Sequence, residues 1–273
     1  MRVVGDTHPG RVHDHNEDAI GWDLTAGLAF VADGMGGHAA GEVASGIARE
    51  TLLAGAGRPL AEAVLDAHRA IAHASDTVPE QHGMGSTVVA LRLDGDIGEL
   101  VWVGDSRGYL WRRHRLERLT RDHSFLELLL QSKRISEAEA RDHPNRNLVT
   151  QTLGIGDPAP DRERVSLQPG DWVVLCSDGL NDELTDTEIA EVLEQSGSQE
   201  AAVTRLIESA VAHGGRDNVS VVIVDMGGRS RRDRIRAALG RAWAATDRYQ
   251  PVLVGVLGAC ALALVMWTLR RFG

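Results

Sequence analysis

Short apolar runs that end on a carboxylate constrain this chain most. Residues 28–32 run into Asp33-Gly34, and residues 172–176 run into Ser177-Asp178-Gly179. Asp217-Asn218 stands directly before a third run, 219–224. One Asp-Gly at the end of a strand is an ordinary turn. Three such carboxylates, joined by Asn16-Glu17-Asp18 and Asp122-His123, imply a fold that gathers strand ends around one place. Carboxylates collected there repel one another strongly. Hard divalent cations with oxygen ligands, Mg²⁺ or Mn²⁺, neutralise clusters of this kind. Two such ions a few ångströms apart can activate a water and clamp a phosphoryl group. From the residues alone the chain is a candidate two-metal hydrolase.

The rest of the pattern sets the fold class. Residues 87–93 and 99–103 read as paired strands around an Asp94-Gly95 turn, with a further strand over 109–112. Helical periodicity covers 41–53, 60–74, 187–194 and 199–212. Two short helices fit 125–133 and 137–142, the second capped by Ser136. Strands pair with strands and helices come in pairs, so an α+β arrangement of helix-covered sheets is expected. At 43% hydrophobic and 25% charged residues, the chain is neither disordered nor a multi-span membrane protein. Two cysteines, Cys176 and Cys260, exclude a disulfide scaffold and a cysteine-based zinc site.

Charge divides the chain. The net charge is −10, but residues 229–273 carry +7, which leaves −17 for residues 1–228. A body that acidic is unsuited to gripping nucleic acid through phosphates. Residues 251–269 hold no charged side chain, and as a helix they would span a bilayer's hydrocarbon core. Arg-rich residues 229–250 precede them and read as a juxtamembrane helix suited to anionic headgroups. The expected organisation is a domain over 1–228, a basic helix over 229–250, a transmembrane helix over 251–269 and a short tail over 270–273. With no signal peptide at the start and the basic side facing inward, a tail anchor with a cytoplasmic domain is expected at the cytoplasmic membrane.

Seven elements together resemble a known family. They are Asn16-Glu17-Asp18-Ala19; Val31-Ala32-Asp33-Gly34-Met35-Gly36-Gly37-His38; Gly83-Met84-Gly85-Ser86-Thr87; Val103-Gly104-Asp105-Ser106-Arg107; Leu119-Thr120-Arg121-Asp122-His123-Ser124; Cys176-Ser177-Asp178-Gly179-Leu180; and Gly214-Gly215-Arg216-Asp217-Asn218-Val219-Ser220. In this order they resemble the metal-dependent protein serine/threonine phosphatases of the PPM (PP2C) type, in their compact bacterial form. The resemblance covers about residues 5–226. It implies a four-layer α/β/β/α sandwich of two antiparallel sheets with the metal centre at one end. It implies two core ions, Mn²⁺ or Mg²⁺, with Asp33 bridging both, the Gly34 carbonyl on one, and Asp178 and Asp217 completing the other. Glu17 and Asp18 would hold ion-bound waters, and Asn218 would orient its neighbour. A third, weaker ion would sit between Asp122 and Asp178, and residues 124–160 would form a flap that tunes substrate choice. Asp105 and Arg107 are read as structural.

The implied activity is direct hydrolysis of phosphoserine and phosphothreonine in proteins, by a water bridging the two ions. The implied partners are phosphoproteins, chiefly a membrane-associated Ser/Thr kinase and its substrates. Two departures from the family pattern matter. The Arg that usually grips the substrate phosphate, three residues before Asn16, is His13 here. An imidazole lacks the guanidinium fork, so phosphate binding should weaken. The His that eukaryotic relatives carry two residues after the bridging Asp is Met35 here. His38 is kept as a catalytic candidate beside Asp33, Asp178 and Asp217, although a structural hydrogen bond serves a lone His of the motif, or His123, equally well. The alternatives are a catalytically weak binding or sensor module and a phosphatase of small molecules.

Overall fold

The structure is a computed structural model that describes residues 1–37, 40–136, 139, 143–145 and 148–227. The expected helices over 229–250 and 251–269 lie outside the described residues, as do His38 and most of the expected flap helix over 137–142. No helix among the described residues is long and apolar enough to cross a membrane.

Two antiparallel sheets form the centre. One runs in the order β1 (Arg2–His8), β11 (Val219–Asp225), β10 (Trp172–Cys176), β7 (Arg107–Arg112), β8 (Arg115–Arg118). The other runs β2 (Asp18–Asp23), β3 (Leu28–Met35), β5 (Val88–Asp94), β6 (Ile97–Val103), β9 (Asp161–Ser166), with the short β4 (Gly85–Ser86) beside the end of β3. The alternation of side chains along each strand builds the layers. Leu28, Phe30 and Ala32 pack with Ala44, Leu52 and Ile71 of α1 (Ala40–Ala54) and α2 (Leu60–Thr77). Their neighbours Ala29 and Val31 face the other way, onto Val173, Leu175 and Val222 of the first sheet. That sheet turns Val174, Cys176, Val221 and Ile223 toward Ile189 and Leu206 of two further helices. We number these α5 (Asp186–Glu194) and α6 (Gln199–His213), after α3 (Phe125–Gln131) and α4 (Asp178–Asn181). The result is a helix–sheet–sheet–helix sandwich. Strands buried on both faces read as unbroken apolar runs, which is why 28–32 and 172–176 show no polar alternation.

Caps fix the helix starts. Thr185 and Glu188 form a reciprocal capping box at α5, and Ser198 accepts from the Ala201 N–H at α6. Ser124 caps α3 in the same way, and Ser136 exchanges hydrogen bonds with Glu139.

The structure corrects one boundary. Residues 28–32 are expected to end at Asp33, but β3 continues to Met35 because Gly34 and Met35 pair with Ser86 and Gly85 of β4. Asp33 therefore sits inside a strand, with its backbone held on both sides. Strands β1, β2, β8 and β9 have no counterpart in the sequence expectation. They lie at or next to sheet edges; β9 exposes most of its side chains and carries no apolar run.

Candidate active site

Both sheets deliver carboxylates to one end of the sandwich. The β2–β3 pairing sets Asp18 directly across from Asp33. The Asp33 N–H donates to Thr87 Oγ1 at 3.2 Å, and its carbonyl accepts from the Thr87 N–H at 2.7 Å and from Ser86 Oγ at 3.0 Å. Thr87 Oγ1 lies 2.7 Å from Ser106 Oγ. The Gly-Ser-Thr of the motif is thus a backbone clamp on the central aspartate. From the other sheet, Asp178 follows β10 as the first residue of α4, and Asp217 precedes β11. Ser177 joins the two groups: its hydroxyl donates to Asp18 Oδ2 at 2.7 Å and accepts from the Ser220 N–H at 2.9 Å.

Asn218 is the clasp of the site. Its side-chain oxygen accepts from the Glu17 N–H at 2.7 Å. Its amide donates to the carbonyls of Pro9 and His15 at 3.0 and 3.1 Å. One buried amide therefore binds the 9–17 turn to the start of β11. Gly10 makes the approach possible. Its φ is +77°, and a Cβ there would run into the Asp217 carbonyl. Gly34 and Gly41 permit a similar approach of the α1 helix to the end of β3, because a Cβ on Gly34 would collide with the Gly41 carbonyl.

The resulting cleft has a volume of about 230 Å³ and is walled by His13, Glu17, Asp33, Asp105, Asp178 and Asp217, among others. Burial, and then the charges of Asp18, Asp178, Asp105 and Asp217, push Asp33 well above the ordinary carboxylate range. Asp178 rises for the same reasons, burial first and then Asp105, Asp182 and Asp217. Burial pushes Asp18 up to about 6, against hydrogen bonds from Ser220 and Ser177, and Asp105 up to about 7. Glu17 is raised as well, chiefly by burial. Two oxygens in this cluster, Asp18 Oδ1 and Asp178 Oδ1, are buried without a hydrogen-bond partner. Unpaired buried carboxylate oxygens are costly, and an oxygen-seeking cation would satisfy them and offset the repulsion. The donor set thus fits Mn²⁺ or Mg²⁺ in its chemistry. Among the described residues no three Asp, Glu, His or Cys side chains converge on a single point at ligand distances. The fit rests on charge and on the orphaned oxygens.

The other expected site residues fall in different places. Asp122 is held by arginines: Arg107 Nε is 3.1 Å from both of its oxygens, and Arg107 Nη2 and Arg118 Nη2 each reach it at 2.7 Å. It is not part of the cleft wall, whereas Asp105, expected to be structural, is. The signal for Asp105 was present in the sequence, since it closely follows the apolar run 100–103 as Asp33 and Asp178 follow theirs. His13 lies in a turn at the cleft mouth, half-exposed, with Nε2 3.5 Å from Asp217 Oδ1. His123 is structural. Its Nδ1 accepts from the Gly104 N–H at 3.2 Å, which leaves the proton on Nε2, 3.3 Å from Asp161. The ring also stacks on Trp102.

A two-sheet sandwich with an acidic cleft of this build defines a class, and comparison with known proteins places the chain in it. The family model described as Protein phosphatase 2C matches residues 4–209. The chain belongs to that family. It is 39% identical over 234 residues to the serine/threonine protein phosphatase PstP of Mycobacterium tuberculosis, covering 83% of this chain but only 45% of that protein's length. It is 35% identical over 236 residues to the serine/threonine phosphatase stp of Listeria monocytogenes, covering 80% of this chain and 93% of the relative. A crystal structure of the PstP catalytic domain in complex with two manganese ions superposes with a TM-score of 0.75 at 37% identity, covering 82% of this chain and 97% of that one.

Protons and metal ions compete for the same oxygens. Asp18 and Asp105 have folded-state values of about 6 and 7 against an ordinary 3.8, so the native state binds more protons than the unfolded state in that window. The stability they confer is complete below about 4 and is lost as pH rises through 7. In chelator, the melting temperature should fall between pH 5 and pH 7.5. Mn²⁺ at about a hundred times its dissociation constant should raise it by roughly 5–10 °C at pH 7.5 and by less at pH 5. Equal melting temperatures with Mn²⁺ and with chelator at pH 7.5 would contradict the metal assignment.

Proposed function

We propose that this chain is a metal-dependent protein phosphatase that hydrolyses phosphoserine and phosphothreonine in proteins and reverses a bacterial Ser/Thr kinase. The observation that carries this is the carboxylate cluster, with two orphaned oxygens, at the sheet ends of a PP2C sandwich. The two manganese ions in the PstP structure support the choice of cofactor. Asp33, Asp178, Asp217 and the Gly34 carbonyl would hold the core ions. When bound, such ions supply a nucleophilic water at neutral pH and offset charge on the phosphoryl oxygens.

This chain's own residues do the positioning. Ser86 and Thr87 fix the Asp33 backbone, so its carboxylate need not be ordered at the moment of reaction. Ser177 fixes one oxygen of Asp18, and Asp18 and Glu17 would orient water. Cys176 is buried and pushed up to about 12, chiefly by burial, so it stays a thiol and is no nucleophile. His13, at the cleft mouth, would meet the incoming substrate phosphate. The two arginines on Asp122 favour a two-ion core over a third ion at that carboxylate.

We further propose that residues 251–269 anchor the chain in the cytoplasmic membrane with the phosphatase domain on the cytoplasmic side. The uncharged run of 19 residues and the Arg-rich segment before it support this. Anchoring would raise the local concentration of a membrane-bound kinase.

Phosphate release from a phosphothreonine peptide should require Mn²⁺, stop in EDTA, and fall by at least about 10³-fold in Asp33→Asn. A folded chain with no turnover in millimolar Mn²⁺ would instead favour a binding module. Restoring the fork with His13→Arg should lower KM for the peptide by about tenfold with little change in kcat; an unchanged KM would remove His13 from the phosphate path. On fractionation, the full chain should sediment with membranes and resist carbonate extraction, while a chain ending at residue 228 should stay soluble. Extraction of the full chain by carbonate would contradict the anchor.

A further inference from the structure

Beside the acidic cleft lies a second groove, of about 310 Å³, formed by the end of β3 and residues 149–158. Met35 and Val149 belong to both, so the groove opens off the cleft wall. The segment that lines it is tightly held. Leu153 is buried and exchanges backbone hydrogen bonds with Ser86 at 2.7 and 3.1 Å. The Gly154 N–H donates to His68 Nδ1 on α2 at 3.0 Å, and with φ at +88° a Cβ on Gly154 would strike Ile71. The Thr150 N–H donates to the His123 carbonyl at 2.7 Å, and the Ala159 N–H to Gln151 Oε1 at 2.8 Å. A groove ordered this way needs no reorganisation to take a ligand.

Its chemistry is specific. Met35, Val149, Ile155 and Pro158 give it an aliphatic wall, and Ile155 is 47% exposed, high for such a side chain. Asp157 is exposed on the same loop and makes no ion pair among the described residues. Its charge acts on His68, a ring that burial holds below the ordinary imidazole range and whose Nδ1 accepts from the Gly154 N–H. A side chain that suits an aliphatic trough ending at an exposed carboxylate has a long apolar stem and a cationic tip. An acidic side chain there would meet both Asp157 and the repulsion of the cleft.

On the footing of the phosphatase activity above, we propose that this groove takes a lysine or arginine flanking the phosphorylated residue, and that Asp157 selects its charge. The stem lies over Met35, Val149 and Ile155, and the cation reaches Asp157. The substrate class is thus a phosphoprotein segment with a basic residue close to the phosphate.

The test uses the full chain in Mn²⁺. Lys, norleucine or Glu is walked through the three positions on each side of phosphothreonine in a synthetic peptide, with p-nitrophenyl phosphate as the substrate that has no flanking residue. At one position at least, Lys should raise kcat/KM about fivefold over norleucine and more over Glu. Asp157→Asn should erase the Lys preference and leave p-nitrophenyl phosphate turnover within twofold. Ile155→Ala should lower kcat/KM for the Lys and norleucine peptides alike. Turnover of p-nitrophenyl phosphate and peptides with no Lys preference at any position, or a preference that survives Asp157→Asn, would overturn the proposal. Failure to hydrolyse either kind of substrate would overturn the phosphatase function itself, and this proposal with it.

Discussion

The repulsion among carboxylates at one end of the sandwich is the constraint on which the rest of the structure depends. Asp18 and Asp33 come from one sheet, Asp178 and Asp217 from the other, and Asp105 from the turn that ends β6. Left to themselves these groups would drive the sheet ends apart or take up protons. The fold resists by holding their backbones. Ser86 and Thr87 clamp Asp33, Ser177 ties Asp18 to the opposite sheet, and Asn218 binds the N-terminal turn to β11. The apolar layers behind, from Ala29 and Val31 to Leu175 and Val222, supply the burial that makes this arrangement affordable. The same burial raises the carboxylates, so that protons and cations compete for their oxygens.

Much of this was legible in the sequence, for a physical reason. Strands buried on both faces must be apolar throughout, so 28–32 and 172–176 announce themselves, and an acid at the end of such a run is conspicuous. Helices packed on one side must repeat with helical period, as 60–74 and 199–212 do. The strands that escaped notice, β1, β2, β8 and β9, lie at or next to the sheet edges. Their register comes from long-range pairing, as when Arg2 meets Asp225, and no local pattern reports that.

The site shows the same division. Asp33, Asp178 and Asp217 carry a strand-end signature that brings them to notice together. Asp105 follows an apolar run too, although together with Arg107, two residues on, it reads as structural. In the structure they part company, Arg107 turning to Asp122 while Asp105 faces the cleft. Two residues apart in sequence, they serve different sites because Asp105 lies in the turn after β6 while Arg107 opens β7. That Asn218 reaches Glu17, Pro9 and His15 is likewise a property of the folded chain, since about two hundred residues separate them. His13 carries the point at which this chain departs from the pattern it resembles, and it sits at the cleft mouth.

The central claim is that the carboxylate cluster exists to hold two divalent cations. Crystals of the chain grown with Mn²⁺, with anomalous diffraction recorded at the manganese edge, test this most directly. Two anomalous peaks a few ångströms apart, within ligand distance of Asp33, Asp178, Asp217 and the Gly34 carbonyl, are the expected result. A cleft with no anomalous peak at saturating Mn²⁺, or manganese bound elsewhere on the acidic surface, would contradict the account.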